Sequence, residues 1–310
     1  YVATSEKKLN DDNVKEMGNK WDGKFENGVA SGEGNDTTEI KREAGTLIPD
    51  GATYTPSGKT ALTGNGTNKF PDAPSSGDTY EEGDYKYTYN KGGNYGTEWS
   101  VAVKSTSKTT YGEIISEIAN KPLTSMAYTF NFCFSLTTAP KIPNKVTNII
   151  SIFSQCDSLT TTPSIPSGVT NMSYAFEDCS LITVAPTIPN NVTDMTNTFR
   201  GCNSLKTYVG SADPDGDFSN YKIPNGVTNM ECTFGGASLT TAPIIPSSVI
   251  NMSNTFSYCT SLTGTITINA NPTNYSDCFK NTTKSITLTG SSSKLTELAA
   301  TASSGNVTVK

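Results

Sequence analysis

Along the second half of the chain, apolar positions return at one fixed interval. Phe130, Phe153, Phe176, Phe199, Phe234, Phe256 and Phe279 are separated by 23, 23, 23, 35, 22 and 23 residues. Met126, Ile149, Met172, Met195, Met230 and Met252 each stand four residues before one of these rings. Leu136, Leu159, Ile182, Leu205 and Leu262 follow six residues after, with Leu239 one position early. Ile142, Ile165, Ile188, Ile223 and Ile245 form another column, each followed by proline, and Ile268 continues it. Cys133, Cys156, Cys179, Cys202 and Cys259 keep the same phase. A period in the twenties with apolar residues held in register predicts stacked coils, because one coil cannot bury its own apolar face and its neighbours complete the core. The Phe and Cys columns are the expected core ladder. Proline beside isoleucine predicts short edge strands or turns, and residues 171–179 (NMSYAFEDC) read as a short helical turn. The column Asn148, Asn171, Asp194, Asn229 and Asn251 is expected to bond turn amides from coil to coil. The 35-residue step is 23 plus 12, and the surplus fits residues 210–221.

The flanks follow other rules. Residues 4–17 suit a short helix within a charged, Gly-interrupted linker, and residues 46–74 read as loops with short extended pieces. Residues 80–90 (YEEGDYKYTYN) alternate polar and aromatic side chains and, with residues 99–103 (WSVAV), give a two-stranded β signal. Residues 111–119 (YGEIISEIA) have helical spacing of Ile114, Ile115 and Ile118. Solenoid ends need covering. The expected organisation is an N-terminal segment (1–76), a mostly-β N-terminal cap that includes this helix (77–120), a solenoid of about seven coils (121–284) and an α/β C-terminal cap (285–310). That last cap would hold strands at 285–288 and 307–309 around a helix at 294–300.

The repeated unit VTNMxxxFxxCxSLTxxPxIP, clearest at residues 146–166 and from Val249 onward, resembles the BspA-like leucine-rich repeats of bacterial surface proteins. The resemblance covers about residues 122–281. It implies a leucine-rich-repeat solenoid, a right-handed superhelix of short strands and helical turns, on an exported protein of host-associated bacteria. It implies adhesion or recognition, with a protein or glycan ligand on a host or neighbouring cell and no shared catalytic residues. Ala237 stands where the repeat has cysteine, and Asn269 replaces the final proline. The alternative is a structural subunit of an extracellular filament or surface layer, built by self-association.

Composition narrows the chemistry. Histidine is absent, which removes Ser-His-Asp triads, Cys-His dyads and His-ligated zinc. The net charge of −6 leaves no cationic stripe for nucleic acid. No apolar run is long enough to span a membrane, and a chain beginning at Tyr1 leaves room for an export signal or anchor ahead of it. Without histidine only paired carboxylates could catalyse, and no two acidic residues recur with a supporting motif, so no enzyme and no cofactor are expected. The Thr pairs such as Thr137 and Thr138 are interrupted in their columns by Val184, Lys206 and Gly264, which argues against an ice-binding array. Seven cysteines is an odd number, so the phased ones are expected to be core thiols, with Cys232 and Cys278 out of phase and open to exposure or a disulfide. Asp213, Asp215 and Asp217 resemble a calcium loop, but the glycine comes too early and Pro224 occupies the place of the closing Glu. A solvated acidic loop, free to touch a ligand and bound to no metal, is expected there. Tyr85, Tyr87 and Tyr89, with Trp99 near them, either present rings to a sugar or protein ligand or pack on the first coil.

Overall fold

The computed structural model describes residues 24–26, 29–31, 39–211 and 218–310. The chain forms two compact units, residues 1–41 and 42–310. In the first unit, β1 (Lys24–Glu26) pairs antiparallel with β2 (Val29–Ser31), a hairpin within the stretch read as linker. The helix expected over residues 4–17 lies outside the described residues. β3 (Ile40–Arg42) leads into the second unit.

The second unit opens with a mixed sheet. Its strands are β4 (Thr53–Thr55), β5 (Leu62–Thr63), β6 (Thr79–Glu82), β7 (Tyr85–Tyr89), β8 (Trp99–Val103), β9 (Ile115–Ile118) and β10 (Lys121–Ser125). They run in the order β9-β10-β8-β7-β6-β4-β5. Residues 111–119 are therefore not helical. Ala119 and Asn120, with φ of 48° and 57°, make a two-residue turn that folds β9 back on β10 with Ile118 opposite Lys121. Positive φ at both central positions is what a tight hairpin turn requires. Because β9 is buried on both faces, its isoleucines do not alternate with polar residues, and the sequence pattern imitates a helix face.

β10 joins the sheet to the coils. It lies parallel to β8 through Leu123 and Trp99, and its last residue, Ser125, bridges in parallel to Asn148. The bridge continues through Asn171, Asp194, Asn229, Asn251 and Asn274, one residue per coil. The result is a β-solenoid of about nine turns. Inside it the Phe rings stack with centroids 5.4 Å apart between Phe130 and Phe153, and 5.8 Å apart between Phe176 and Phe199. At the sheet end Tyr111 and Tyr85 lie against Phe130, 5.2 and 6.3 Å away.

The segment read as a helical turn is a run of tight turns. Ala175 N–H donates to Met172 and Cys179 N–H to Phe176, while Tyr174, Phe176 and Asp178 donate to the next coil at Thr196, Thr198 and Arg200. Tyr174 and Asp178 have φ of 60° and 55°, at the third residue of their turns, where a type II turn needs φ > 0. A helix would spend these amides within the segment; here alternate ones tie coil to coil. The Asn and Asp column differs from expectation in the same way. The Asn148, Asn171, Asp194, Asn229 and Asn251 Oδ1 atoms accept from the amide two residues on in their own coil, and the backbone makes the crossing.

Further along, β11 (Val184–Ala185) pairs in parallel with β12 (Thr207–Tyr208). β13 (Gly264–Thr267), β14 (Ile286–Thr289) and β15 (Val307–Val309) form a parallel sheet in strict register. The expected separate α/β cap is absent: residues 285–310 continue the stack. The five-residue α1 (Leu295–Ala299) replaces part of one coil and buries Leu295 and Leu298. Together with the ladder through Asn274, these added coils exceed the expected seven.

Candidate functional site: a cleft at the insertion

Most coils repeat one surface. Short threonine hydroxyls point outward and several are already bonded, as where Thr160 Oγ1 donates to the Thr137 carbonyl at 3.1 Å and Thr193 Oγ1 to Thr170 at 3.3 Å. Residues 210–221 break that uniformity, and their closing end enters the core. Phe218 and Tyr221 are buried, so the segment is not a solvated loop throughout. Phe218 N–H donates to Thr241 Oγ1 at 2.6 Å and Tyr221 O–H to the Pro186 carbonyl at 2.7 Å. Phe218 meets the ladder edge-on at Phe234, with centroids 6.3 Å apart. Removing these residues would thus cost the protein two buried rings rather than restore a plain coil.

A cleft of about 790 Å³ opens where the insertion leaves the stack. Ile188, Ile223 and Tyr221 line it from the core, and Val209 and Ile244 stand at its edge, 49% and 51% exposed. Tyr208, at the end of β12, is half-buried in its wall. Its ring leans on Tyr221 and Phe218, 5.2 and 5.8 Å away, so its position is set by two buried neighbours. Asn190, Asn220 and Asn225 add three exposed side-chain amides that bond to no other group among the described residues. Lys222 is the single cation among the lining residues, and no carboxylate lines the cleft among the described residues. Asn190 and Asn225 occupy one column, the turn after Ile-Pro, in consecutive coils.

The aromatic candidates lie elsewhere. Tyr85, Tyr87 and Trp99 are buried in the N-terminal sheet and offer no ring to a ligand; Tyr89 is half-buried beside Trp99, 5.3 Å away. Their polar tips are committed. Tyr85 O–H donates to the Gly112 carbonyl at 2.7 Å, Trp99 Nε1–H donates to the Ile118 carbonyl at 2.9 Å, and Tyr87 Oη accepts from Ile115 N–H at 2.9 Å. A strand packed between a coil stack and further strands buries its aromatic face, which the alternation alone did not disclose. Asp213, Asp215 and Asp217 lie outside the described residues, between Gly210 and Ser219, which both line the cleft.

The phased cysteines Cys133, Cys156, Cys179, Cys202 and Cys259 are free and buried. Cys156, Cys179 and Cys202 point Sγ at the carbonyls of Phe130, Phe153 and Phe176, each 3.1 Å away, and Cys259 reaches Phe234 at 3.0 Å. Burial pushes the Cys259 thiol up to about 12. Cys278 is buried rather than exposed, and Cys232 is half-buried. Among the described residues no group of three or more His, Cys, Asp or Glu side chains is placed to hold a metal ion. No helix among them is long and apolar enough to cross a membrane.

The cleft residues were missed because they lie in turns and in the insertion. One signal was present: Tyr208 stands in a column that holds the smaller Ala139, Thr162 and Ala185 in the preceding coils.

Residues 170–289 match a family described as a Mycoplasma protein of unknown function. A Treponema pallidum leucine-rich-repeat protein is similar at 17% identity over 60% of this chain and 83% of its own, with a TM-score of 0.42. A leucine-rich cell surface protein of Faecalibacterium prausnitzii is similar at 20% identity over 70% of this chain and 71% of its own, with a TM-score of 0.41. No curated protein matches. Residues 124–211 match the BspA type leucine-rich-repeat region in six copies, and the coils within that range are similar to repeats of that type.

Proposed function

We propose that this protein is a surface or secreted binding protein that recognises a ligand on a host or neighbouring cell and takes it at the insertion cleft. BspA-type repeats suggest a binding or recognition role, and leucine-rich-repeat proteins are generally non-enzymatic scaffolds. The observation that carries the site is the cleft itself. It combines apolar walls with amides that bond to nothing else among the described residues, on a molecule whose other coils present repeated and partly committed hydroxyls. Concave sites with apolar walls and a few convergent polar groups are where ligands bind.

Fluorescently labelled protein should bind cultured epithelial cells or bacterial cells saturably. Val209→Trp, which fills the cleft mouth from an exposed position, should weaken that binding at least tenfold. Thr170→Trp, on the exposed face of an ordinary coil, should leave it unchanged. Equal binding by Val209→Trp and the parent, or loss on Thr170→Trp, would place recognition elsewhere.

A further inference from the structure

We infer that the cleft takes a neutral oligosaccharide, held through its ring hydroxyls by Asn190, Asn220 and Asn225 beside the ring of Tyr208. This rests on the cleft being the binding site. A side-chain amide carries donors and an acceptor in one plane, and so matches a pair of neighbouring sugar hydroxyls, each both donor and acceptor. Three such amides around one cleft, none bonded to another group among the described residues, offer hydroxyl recognition without desolvating an ion. Sugar rings also present faces of C–H groups, which pack on aromatic and aliphatic surfaces. Tyr208 supplies the first and the exposed Val209 and Ile244 the second. Tyr208 is already braced by Phe218 and by Tyr221, whose hydroxyl is tied to Pro186, so little side-chain freedom is lost on binding. The volume of about 790 Å³ falls within the ~300–1,000 Å³ of small-molecule sites and has room for more than one sugar ring.

Other ligand classes fit less well. An extended peptide would need a strand edge to pair with. The Tyr208 carbonyl, however, accepts from Ser211 N–H at 3.0 Å, and Val209 N–H donates to Ala185 at 2.9 Å. An anionic sugar would want cations. Lys222 is the single cation among the described lining residues.

The test is calorimetric titration of the full chain with chitotriose, cellotriose and maltotriose as neutral probes. A galacturonic acid trimer and a proline-rich decapeptide serve as comparison probes. At least one neutral trisaccharide should bind saturably, and Asn220→Ala and Tyr208→Ala should each weaken it tenfold or more. Asn220 is exposed, so its variant should melt with the parent and separate lost contact from lost fold. Three results would overturn the inference: no neutral probe binds, binding survives Asn220→Ala, or the peptide or the acidic trimer binds more tightly. If no sugar binds while Val209→Trp still abolishes cell binding, the sugar fails and the cleft stands. If Val209→Trp leaves cell binding intact, the cleft reading itself fails.

Discussion

The N-terminal sheet and the coils both bury aromatic rings, by opposite means. In the sheet the rings are of different kinds and meet at varied angles, from 32° between Tyr80 and Tyr87 upward. Tyr54 stands at 89° to Phe70 and 75° to Trp99, and each polar tip finds its own partner. Tyr54 O–H donates to Asp78, which is itself buried and also accepts from Ser57 and Ser75 amides at 2.8 and 2.9 Å. In the coils one ring is repeated in near-parallel planes, 7° apart for Phe234 and Phe256 and 22° apart at the widest, between Phe153 and Phe176. The sheet is held by unlike contacts made once, and the solenoid by one contact made many times. A substitution should therefore cost the solenoid mostly volume, and the sheet mostly a specific bond.

The largest effect is expected from the ladder. Phe176→Ala leaves a gap between Phe153 and Phe199 and should destabilise by about 3–5 kcal/mol in a denaturant titration. A loss below about 1 kcal/mol would show that neighbouring coils close over the gap, and the contrast with the sheet would weaken. Next comes Tyr87→Phe, which keeps the ring and removes only the acceptor of the Ile115 amide. An unsatisfied buried donor costs about 1–3 kcal/mol. No change would mean that the sheet, like the coils, is held by ring volume alone.

A smaller effect should appear in acid. Burial opposes ionisation of Glu82, but hydrogen bonds from Arg42 and Tyr80 outweigh it and hold the carboxyl below its ordinary 4.5. Arg42 grips it with both forks, Nε at 2.9 Å and an Nη at 2.6 Å. A group depressed on folding adds stability above its unfolded value, and that stability is lost as pH falls through the folded one. The parent should thus lose stability below about pH 4.5 more steeply than Glu82→Gln. Parallel acid titrations of the two would remove Glu82 from the account. The smallest effect concerns the thiols. All seven are free, so reducing agent should leave the melting temperature unchanged. Ellman's reagent should react in the native state with Cys232 at most, since the other thiols are buried, and with all seven after denaturation. A rapid native reaction of two or more would show that the ladder opens.

What the sequence disclosed follows the same division. A repeated coil states its needs many times, so the phase of Phe, Met, Leu and Cys could be read directly from spacing. The turns could not, because the left-handed positions are held by Gln155, Asp178 and Tyr258 as well as by Gly201 and Gly236, and only the glycines announce such a backbone. Nor could the β9–β10 turn, where Ala119 and Asn120 stand in place of the usual glycine. The sheet's aromatic face was visible as alternation, but whether Tyr85 and Tyr87 met water or protein depended on strands distant in the chain. The cleft depended on Phe218 and Tyr221 turning inward from a segment whose acidic composition suggested solvent. Contacts made once leave no second copy in the sequence to confirm them.

The parallel bridges from Ser125 through Asn274 also have a mechanical consequence. These bonds lie along the stack axis, so tension between its ends loads one coil boundary at a time rather than shearing many together. Such a stack peels at low force, each released coil of 23 residues paying out about 80 Å of chain. Pulled from its two ends, a stack of this kind lengthens stepwise and limits the tension carried along it.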